Sequence, residues 1–194
     1  MKNVAKTDLF VWVALISVGA WLRVLLQDLP NVAPVIAVAR MAAGYFRQAG
    51  WAWSVPILTM AISDVFLGSY HGGLMLVNYA MLALPVVCRH FLKRHCSLGA
   101  QNSEIAAMAK FVGCAAVASL LFFVVTNLAF LCFFDMYPRT LVGLTQCYIQ
   151  ALPFFRYSFL GDFVFAASIY SIYLGAHVWL TSDGQVSAVR GLRK

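Results

Sequence analysis

Apolar stretches long enough to cross a lipid bilayer recur along this chain from Leu9 to Leu180, with short connections between them. A helix needs about 20 apolar residues to cross the hydrocarbon core of a membrane. The chain is 62% hydrophobic and 11% charged over 194 residues, which is typical of an integral membrane protein. The sequence therefore predicts a single all-α membrane domain that covers residues 1–194.

Six membrane spans fit within this length. We predict them near residues 9–27, 33–47, 51–69, 73–92, 106–133 and 159–180. The second is short and opens with Pro34, which suits the first turn of a helix, so it can end inside the protein. Residues 140–155 are only moderately apolar, and their glutamines and Pro153 predict a re-entrant or interfacial helix on the outer side.

The basic residues give this bundle an orientation. With six spans and a cytoplasmic N-terminus, ten lysines and arginines fall on the inner side: Lys2, Lys6, Arg47, Arg89, Lys93, Arg94, Lys110, Arg190, Arg193 and Lys194. The outer connections hold Arg139 and Arg156. Because basic residues accumulate on the cytoplasmic side, we expect a multi-pass protein of the bacterial cytoplasmic (inner) membrane with both termini cytoplasmic. The net charge of +7 is then a topology signal, and no pattern of basic and aromatic residues supports nucleic-acid binding.

A sparse set of polar residues lies at the predicted outer ends of the spans, where an ionisable group is costly because hydrocarbon offers it no hydrogen bonds. The set is Asp64, His71, Asn78, Asn127, Arg156 and Asp162. Asp64 can bind a donor group of a ligand, pair with an arginine, or cap the third span beside a glycine-rich turn. His71 lies in that turn and titrates near neutral pH, so a ligand contact, a metal donor and a solvated loop side chain are all open interpretations.

The remaining members also have a functional and a structural interpretation. Arg156, flanked by aromatic residues, either snorkels to lipid headgroups or lines an outward cavity. Asn127, next to Thr126, either bridges helices or contacts a ligand. Asp162 opens the predicted last span, where the helix dipole favours an acid, so we interpret it as N-terminal stabilisation.

Two arginines fall within apolar stretches. Arg23 lies near the outer end of the first span and can snorkel, whereas Arg40 lies in the middle of its segment and needs a partner or a watery crevice. An ion pair of Asp64 with either arginine is compatible with the sequence.

Sequence signatures of several enzyme classes are absent. The chain has no Walker A sequence, no HExxH, no GxSxG and no His/Asp cluster with metal-ligand spacing. Its five cysteines have neither CxxC spacing nor an even count, so we expect no disulfide framework and no zinc site. We expect no enzyme activity, cofactor or metal; an enzyme would need a nucleophile and a base, for which Ser69 and His71 are the nearby pair.

Several short motifs together resemble an uncharacterised family of small six-helix bacterial membrane proteins. They are Leu29-Pro-Asn-Val-Ala-Pro34, Ser63-Asp64-x-x-x-Gly68-x-x-His71, Thr126-Asn127, Tyr137-Pro-x-Thr140-x-x-Gly143-Leu, Cys147-Tyr148 through Ala151-Leu-Pro-Phe-Phe155, and Gly161-Asp162. That family is similar in size and span layout to the substrate-binding S components of energy-coupling-factor (ECF) vitamin transporters, including the solitary cobalamin importers.

The resemblance implies an ECF S-component-like bundle that binds a vitamin-like small molecule, such as cobalamin or a related cofactor, in an outward-facing cavity for uptake. The substrate-binding residues would lie at the outer helix ends: Asp64, His71, Tyr79, Asn127, Tyr148 and Arg156. Cobalamin-binding relatives can supply a cobalt ligand from the protein, and here His71 or Cys147 would be in position. The alternative hypothesis is a structural or assembly protein whose polar residues only tie helices together.

A coupling subunit is the implied protein partner, in addition to the lipid bilayer. S components often carry an AxxxA pair in the first span for docking that subunit, but here Ala14 is followed four places later by Val18. Either the protein works alone, or another helix docks the partner, such as the one that bears Ala33 and Ala37.

Overall fold

A computed structural model describes residues 2–29, 34–68, 70–95 and 104–191, with side chains placed within 6–29, 34–68, 70–94 and 104–179. These residues form only helices and their connections, so the protein is all-α, as predicted. The helices are α1 (Lys2–Leu25), α2 (Val35–Tyr45), α3 (Ala49–Leu67), α4 (Gly72–Leu82), α5 (Leu84–Val87), α6 (Arg89–His95), α7 (Glu104–Phe133) and α8 (Leu141–Gly191).

Within the described residues, four helices are long and apolar enough to cross a membrane, and they indicate a membrane-embedded protein. They are α1 over Lys6–Leu25, α3, α7, and α8 over Leu141–Trp179. The predicted spans near 9–27, 51–69 and 106–133 correspond to α1, α3 and α7. The other predicted spans take different forms in the structure.

The second predicted span is a short helix enclosed by the rest of the bundle. With 11 residues, α2 is about 16 Å long, which is too short to cross a bilayer alone. Every residue from Val35 to Ala43 is buried, and α2 contacts all seven other helices. Four alanines along it leave room for this close approach. Ala37 is fully buried and offers no surface to a coupling subunit, which argues against docking through this residue; Ala33 lies outside the described residues.

The span predicted near 73–92 is divided into α4, α5 and α6. Pro85 has no backbone N–H, so it cannot continue the helical hydrogen bonds of α4. The ladder ends where the N–H of Ala83 binds the carbonyl of Tyr79 at 3.0 Å, and it restarts where the N–H of Val86 binds Ala83 at 2.9 Å. This predicted span is therefore an interrupted one.

The interfacial helix predicted near 140–155 and the span predicted near 159–180 are one continuous helix, α8. The glutamines and Pro153 suggested a break because proline removes a helical hydrogen bond. Packing against α7 supports the helix on both sides of Pro153: the Tyr148 hydroxyl donates to the Val124 carbonyl at 2.6 Å, and the Phe155 and Phe123 rings lie 4.4 Å apart.

The α7–α8 connection forms a tight antiparallel hairpin. Thr140 caps α8 because its side-chain oxygen accepts the N–H of Gly143 at 3.3 Å. A Cβ atom at Gly143 would lie 1.9 Å from the carbonyl oxygen of Pro138, so only glycine fits there. Farther along the pair, Tyr170 packs on Phe111 with ring centroids 5.2 Å apart. The hairpin brings the middle of α8 opposite the middle of α7.

Candidate functional site

A polar cavity of about 270 Å³ lies among α1, α2, α3, α4, α7 and α8. It is lined by Arg23, Leu26, Gln27, Leu29, Ile36, Met60, Leu67, Asn78, Leu82, Phe122, Ser158 and Asp162. We call it the polar cavity because charged and amide groups share its wall with apolar side chains. Its size is comparable to small-molecule sites, since an apolar protein cavity of about 150 Å³ already holds benzene.

An ion pair holds one wall of the polar cavity in place. The Arg23 guanidinium pairs with Asp64, and the same Nη1 atom donates to the Ser63 hydroxyl. Tyr79 donates its hydroxyl to the other carboxylate oxygen of Asp64 at 2.8 Å. The side chains of Arg23 and Asp64 are 15% and 7% exposed, so this is a buried pair. Of the two arginines that the sequence left open as partners of Asp64, the structure shows Arg23.

Helix geometry explains why these two charges need each other. Arg23 lies in the last turn of α1, where a cation is favoured by the helix dipole. Asp64 lies near the C-terminal end of α3, where the dipole disfavours a carboxylate, so it gains most from a cationic partner. Its backbone carbonyl accepts the N–H of Gly68 at 2.9 Å, and Gly68 ends the helix with a φ of 85° that suits glycine.

Asp162 also lines the polar cavity and has a different environment. It lies mid-helix in α8, far from the first turn, and is 5% exposed. The interpretation of Asp162 as N-terminal stabilisation is therefore wrong, because α8 begins at Leu141. Its carboxylate accepts a hydrogen bond from the Ser119 hydroxyl of α7. Among the described residues no lysine, arginine or histidine forms an ion pair with it.

Asn78 contributes an amide to the same cavity. Its Nδ2 donates to the Tyr70 hydroxyl at 2.8 Å. Its Oδ1 is buried and accepts no hydrogen bond from the described residues. An acceptor left in this state is costly unless a ligand or water fills the position.

The predicted site residues do not share one cavity. Asp64 and Tyr79 come together, but they stand behind Arg23 and support it without lining the cavity. Arg156 is exposed, and its guanidinium stacks over Tyr157 at 4.8 Å. His71 is exposed at the start of α4, 5.2 Å from the rings of both Phe133 and Phe134.

Asn127, Tyr148 and Cys147 tie α7 and α8 together. The Asn127 side chain donates to the Phe123 carbonyl of its own helix at 2.8 Å, and the Cys147 thiol contacts the Asn127 carbonyl at 3.7 Å. The Tyr148 ring packs edge-on against Phe123, with centroids 5.7 Å apart. No member of this group lines the polar cavity. Of the Ser69–His71 pair, Ser69 lies outside the described residues.

The sequence contained a signal for the residues that the predicted site omits. Ser158 and Asp162 are four positions apart, which places them on one face of a helix once α8 is known to be continuous. Asn78 lies four residues before Leu82, another residue of the cavity wall. A polar pair at helical spacing inside an apolar segment is thus the pattern that would have found this wall.

An apolar cavity of about 370 Å³ lies elsewhere in the bundle, among α2, α5, α6 and α7. Its lining is Arg40, Leu84, Pro85, Cys88, Phe91, Leu92, Lys110, Gly113, Cys114, Val117, Ala118 and Leu121. Arg40 is 1% exposed, and its guanidinium carbon lies 4.6 Å from the centre of the Phe111 ring. The partner that the sequence required for Arg40 therefore includes an aromatic face.

Metal coordination has little support in the described part of the chain. No group of three or more His, Cys, Asp or Glu residues is arranged there to hold a metal ion. His71 and Cys147, the predicted cobalt ligands, lie on separate elements, and neither lines the polar cavity.

Comparison with known proteins identifies the family of this chain. No curated protein and no solved structure matches the chain. One family model matches residues 3–182, which is nearly the whole chain. The protein therefore belongs to the family of unknown function DUF6580.

Proposed function

We propose that the protein is a membrane-embedded binding component that takes up a small molecule through the polar cavity. The observation that carries this proposal is the cavity wall itself, where Arg23, Asp162 and Asn78 face a space of about 270 Å³ inside an otherwise apolar bundle. Ionisable residues at membrane depth are costly, and those that face a cavity are typical of substrate pathways. The supporting ion pair pre-orients Arg23, as a binding site requires.

In this proposal the chain crosses the inner membrane six times, and two of the crossings are the segment near 33–47, which contains α2, and the interrupted segment near 73–92. Basic residues of the α2–α3 connection and of α6 meet at one end: Arg89 donates to the carbonyl oxygens of Phe46 and Arg47 at 3.1 and 2.8 Å. That end would be cytoplasmic, with both termini on the same side. The polar cavity would then open outward, as the resemblance to S components of ECF transporters implies.

The volume favours a smaller ligand than a corrinoid. A cavity of about 270 Å³ has room for one ring system with a short polar side chain. We therefore propose a compact, vitamin-like metabolite as the substrate class, with cobalamin retained as the large member of a test panel. A coupling subunit, if one is used, would bind an exposed face of the bundle, since α2 is enclosed.

The test is to identify what purified protein retains. The protein would be extracted in mild detergent, and its bound small molecules would be identified by mass spectrometry. Thermal shifts would then be measured with cobalamin, cobinamide, riboflavin, biotin and thiamin. Ser158→Trp fills the cavity, while Val164→Trp on the same helix changes a side chain that is 57% exposed and serves as the matched control.

We expect a retained molecule, or a stabilising panel member, with the wild type and Val164→Trp but not with Ser158→Trp. Identical results for the two tryptophan variants would contradict the proposal. A complete lack of binding by the wild type would favour the structural or assembly alternative.

A further inference from the structure

The charges around the polar cavity do not balance, and this imbalance indicates which ligand the cavity suits. Arg23 and Asp64 neutralise each other in a buried pair. Asp162 adds a second carboxylate, and the described residues give it the Ser119 hydroxyl but no cation. Among the described residues around the cavity there is therefore one carboxylate more than there are cations.

The hydrogen-bonding capacity of the wall shows the same imbalance. The Asp162 carboxylate is an acceptor with capacity beyond the one bond from Ser119. The Oδ1 atom of Asn78 is a buried acceptor without a donor among the described residues. Both groups line the cavity, so a ligand that satisfies them must bring N–H or O–H donors.

The rest of the wall limits the shape of such a ligand. Ile36, Met60, Leu82 and Phe122 supply apolar surface, and Phe122 offers an aromatic ring. Apolar walls with a few convergent polar groups are typical of small-molecule sites. A ligand with a cationic head next to Asp162 and an apolar body along these side chains would match both the polar and the apolar parts of the cavity wall.

From these observations, and resting on the function proposed above, we propose that the ligand is a small organic monocation with N–H donors, such as a protonated amine attached to an apolar ring. Asp162 is its counter-ion, and Asn78 Oδ1 accepts a second hydrogen bond. Because Asp64 is already neutralised by Arg23, it does not compete with Asp162 for the cationic ligand. Arg23 disfavours a ligand with two positive charges.

The experiment compares three probes of nearly equal shape on purified full-length protein in lipid nanodiscs at a fixed pH of 7.5. They are 2-phenylethylamine, which is cationic, 2-phenylethanol, which is neutral, and phenylacetate, which is anionic. Affinities would be measured by calorimetry for the wild type, Asp162→Asn, Asn78→Asp and the exposed control Asp135→Asn. Asn78→Asp adds a carboxylate, so it tests the idea even if Asp162→Asn folds poorly.

We expect the amine to bind the wild type and the Asp135→Asn control at least tenfold more tightly than the alcohol. Asp162→Asn should lose the preference for the amine while it keeps its affinity for the alcohol. Asn78→Asp should strengthen the preference for the amine. If the alcohol or phenylacetate binds as tightly as the amine, and Ser158→Trp abolishes that binding, the cation proposal is overturned while the cavity remains a binding site. If no probe and no panel metabolite binds, both proposals fail.

Discussion

The two cavities each border an arginine shielded by the bundle, and the structure shows an ion pair at the first arginine and an aromatic contact at the second. Arg23, at the polar cavity, is paired with Asp64 and hydrogen-bonded to Ser63. Arg40, at the apolar cavity, packs against the face of Phe111. An ion pair fixes both the position and the direction of a guanidinium, whereas an aromatic face stabilises its charge with less directional constraint. The Arg23–Asp64 pair therefore holds one wall of the polar cavity in a fixed direction, as a site that selects a ligand requires.

The largest expected effect tests whether the ion pair supports the polar cavity. Asp64→Ala leaves Arg23 buried without its carboxylate and removes the acceptor of Tyr79. Breaking a buried pair typically lowers the free energy of unfolding by about 3–5 kcal/mol. Unfolding in detergent micelles would measure this loss.

The matched control for that prediction is Asp135→Ala. Asp135 and Arg139 form an ion pair whose side chains are 93% and 67% exposed, so its removal should have no measurable effect. Equal unfolding curves for the two alanine variants would show that the polar cavity does not depend on the Arg23–Asp64 pair.

The next largest effect is the difference in stability between two glycine-to-alanine variants, one at the α7–α8 turn and one at the apolar cavity. Gly143→Ala places a Cβ atom 1.9 Å from a backbone oxygen, so the hairpin that positions Asp162 must shift. We expect a loss of about 1–3 kcal/mol, as for overpacked sites. Gly113→Ala meets no atom within 4 Å and should stabilise α7 by up to about 1 kcal/mol through helix propensity. Thermal unfolding would distinguish the two variants, and a change of the unfolding temperature in the same direction for both would refute the packing argument.

A smaller effect tests the aromatic support of Arg40. Phe111→Leu retains an apolar side chain but removes the ring 4.6 Å from the guanidinium carbon, so we expect a loss of about 1–2 kcal/mol. Phe163→Leu changes a ring that is 50% exposed and serves as the control. Binding of the cationic probe should be unchanged in both variants, since neither residue lines the polar cavity. Loss of probe binding in Phe111→Leu would show that the two cavities are coupled.

The sequence predicted the wall of the polar cavity only in part. Hydrophobic length located α1, α3 and α7. The cost of charges in lipid singled out Asp64 and the arginines Arg23 and Arg40, but it did not decide which arginine pairs with Asp64. Pro153 suggested a helix end, but contacts with α7 support the helix on both sides of it, and such contacts cannot be seen in a local pattern. As a result, Asp162 was predicted to lie at the start of a helix, whereas it lies in the middle of α8.

Burial of α2 was also beyond local patterns. Its length suggested a segment that ends inside the protein, but its apolar residues alone do not reveal that it contacts all seven other helices. Asn127 and Tyr148 were equally ambiguous, because an amide or hydroxyl in a membrane helix can bond to a neighbouring backbone as well as to a ligand. The structure shows the backbone bonds.

The smallest expected effect concerns Lys93, which lies beyond the predicted spans near the apolar cavity. Lys93 donates to the Phe46 carbonyl at 2.6 Å, and burial, followed by repulsion from Arg89 and Arg47, lowers its pKa below 10.5. The folded state then binds this proton less tightly than the unfolded chain does. Stability should therefore rise as the pH increases through the lowered pKa toward 10.5, because the unfolded chain retains a proton that the folded protein releases.

Lys93→Met removes both the hydrogen bond and the titrating group, so we expect a loss below about 1 kcal/mol near neutral pH. The advantage of the wild type over this variant should grow as the pH is raised, since only the wild type gains from releasing the proton. Unfolding measured for both proteins over neutral to alkaline pH separates the contribution of Lys93 from those of all other titrating groups. A constant difference across that range would mean that Lys93 is as well solvated in the folded protein as in the unfolded chain, and that this end of the bundle is more open to water than its packing indicates.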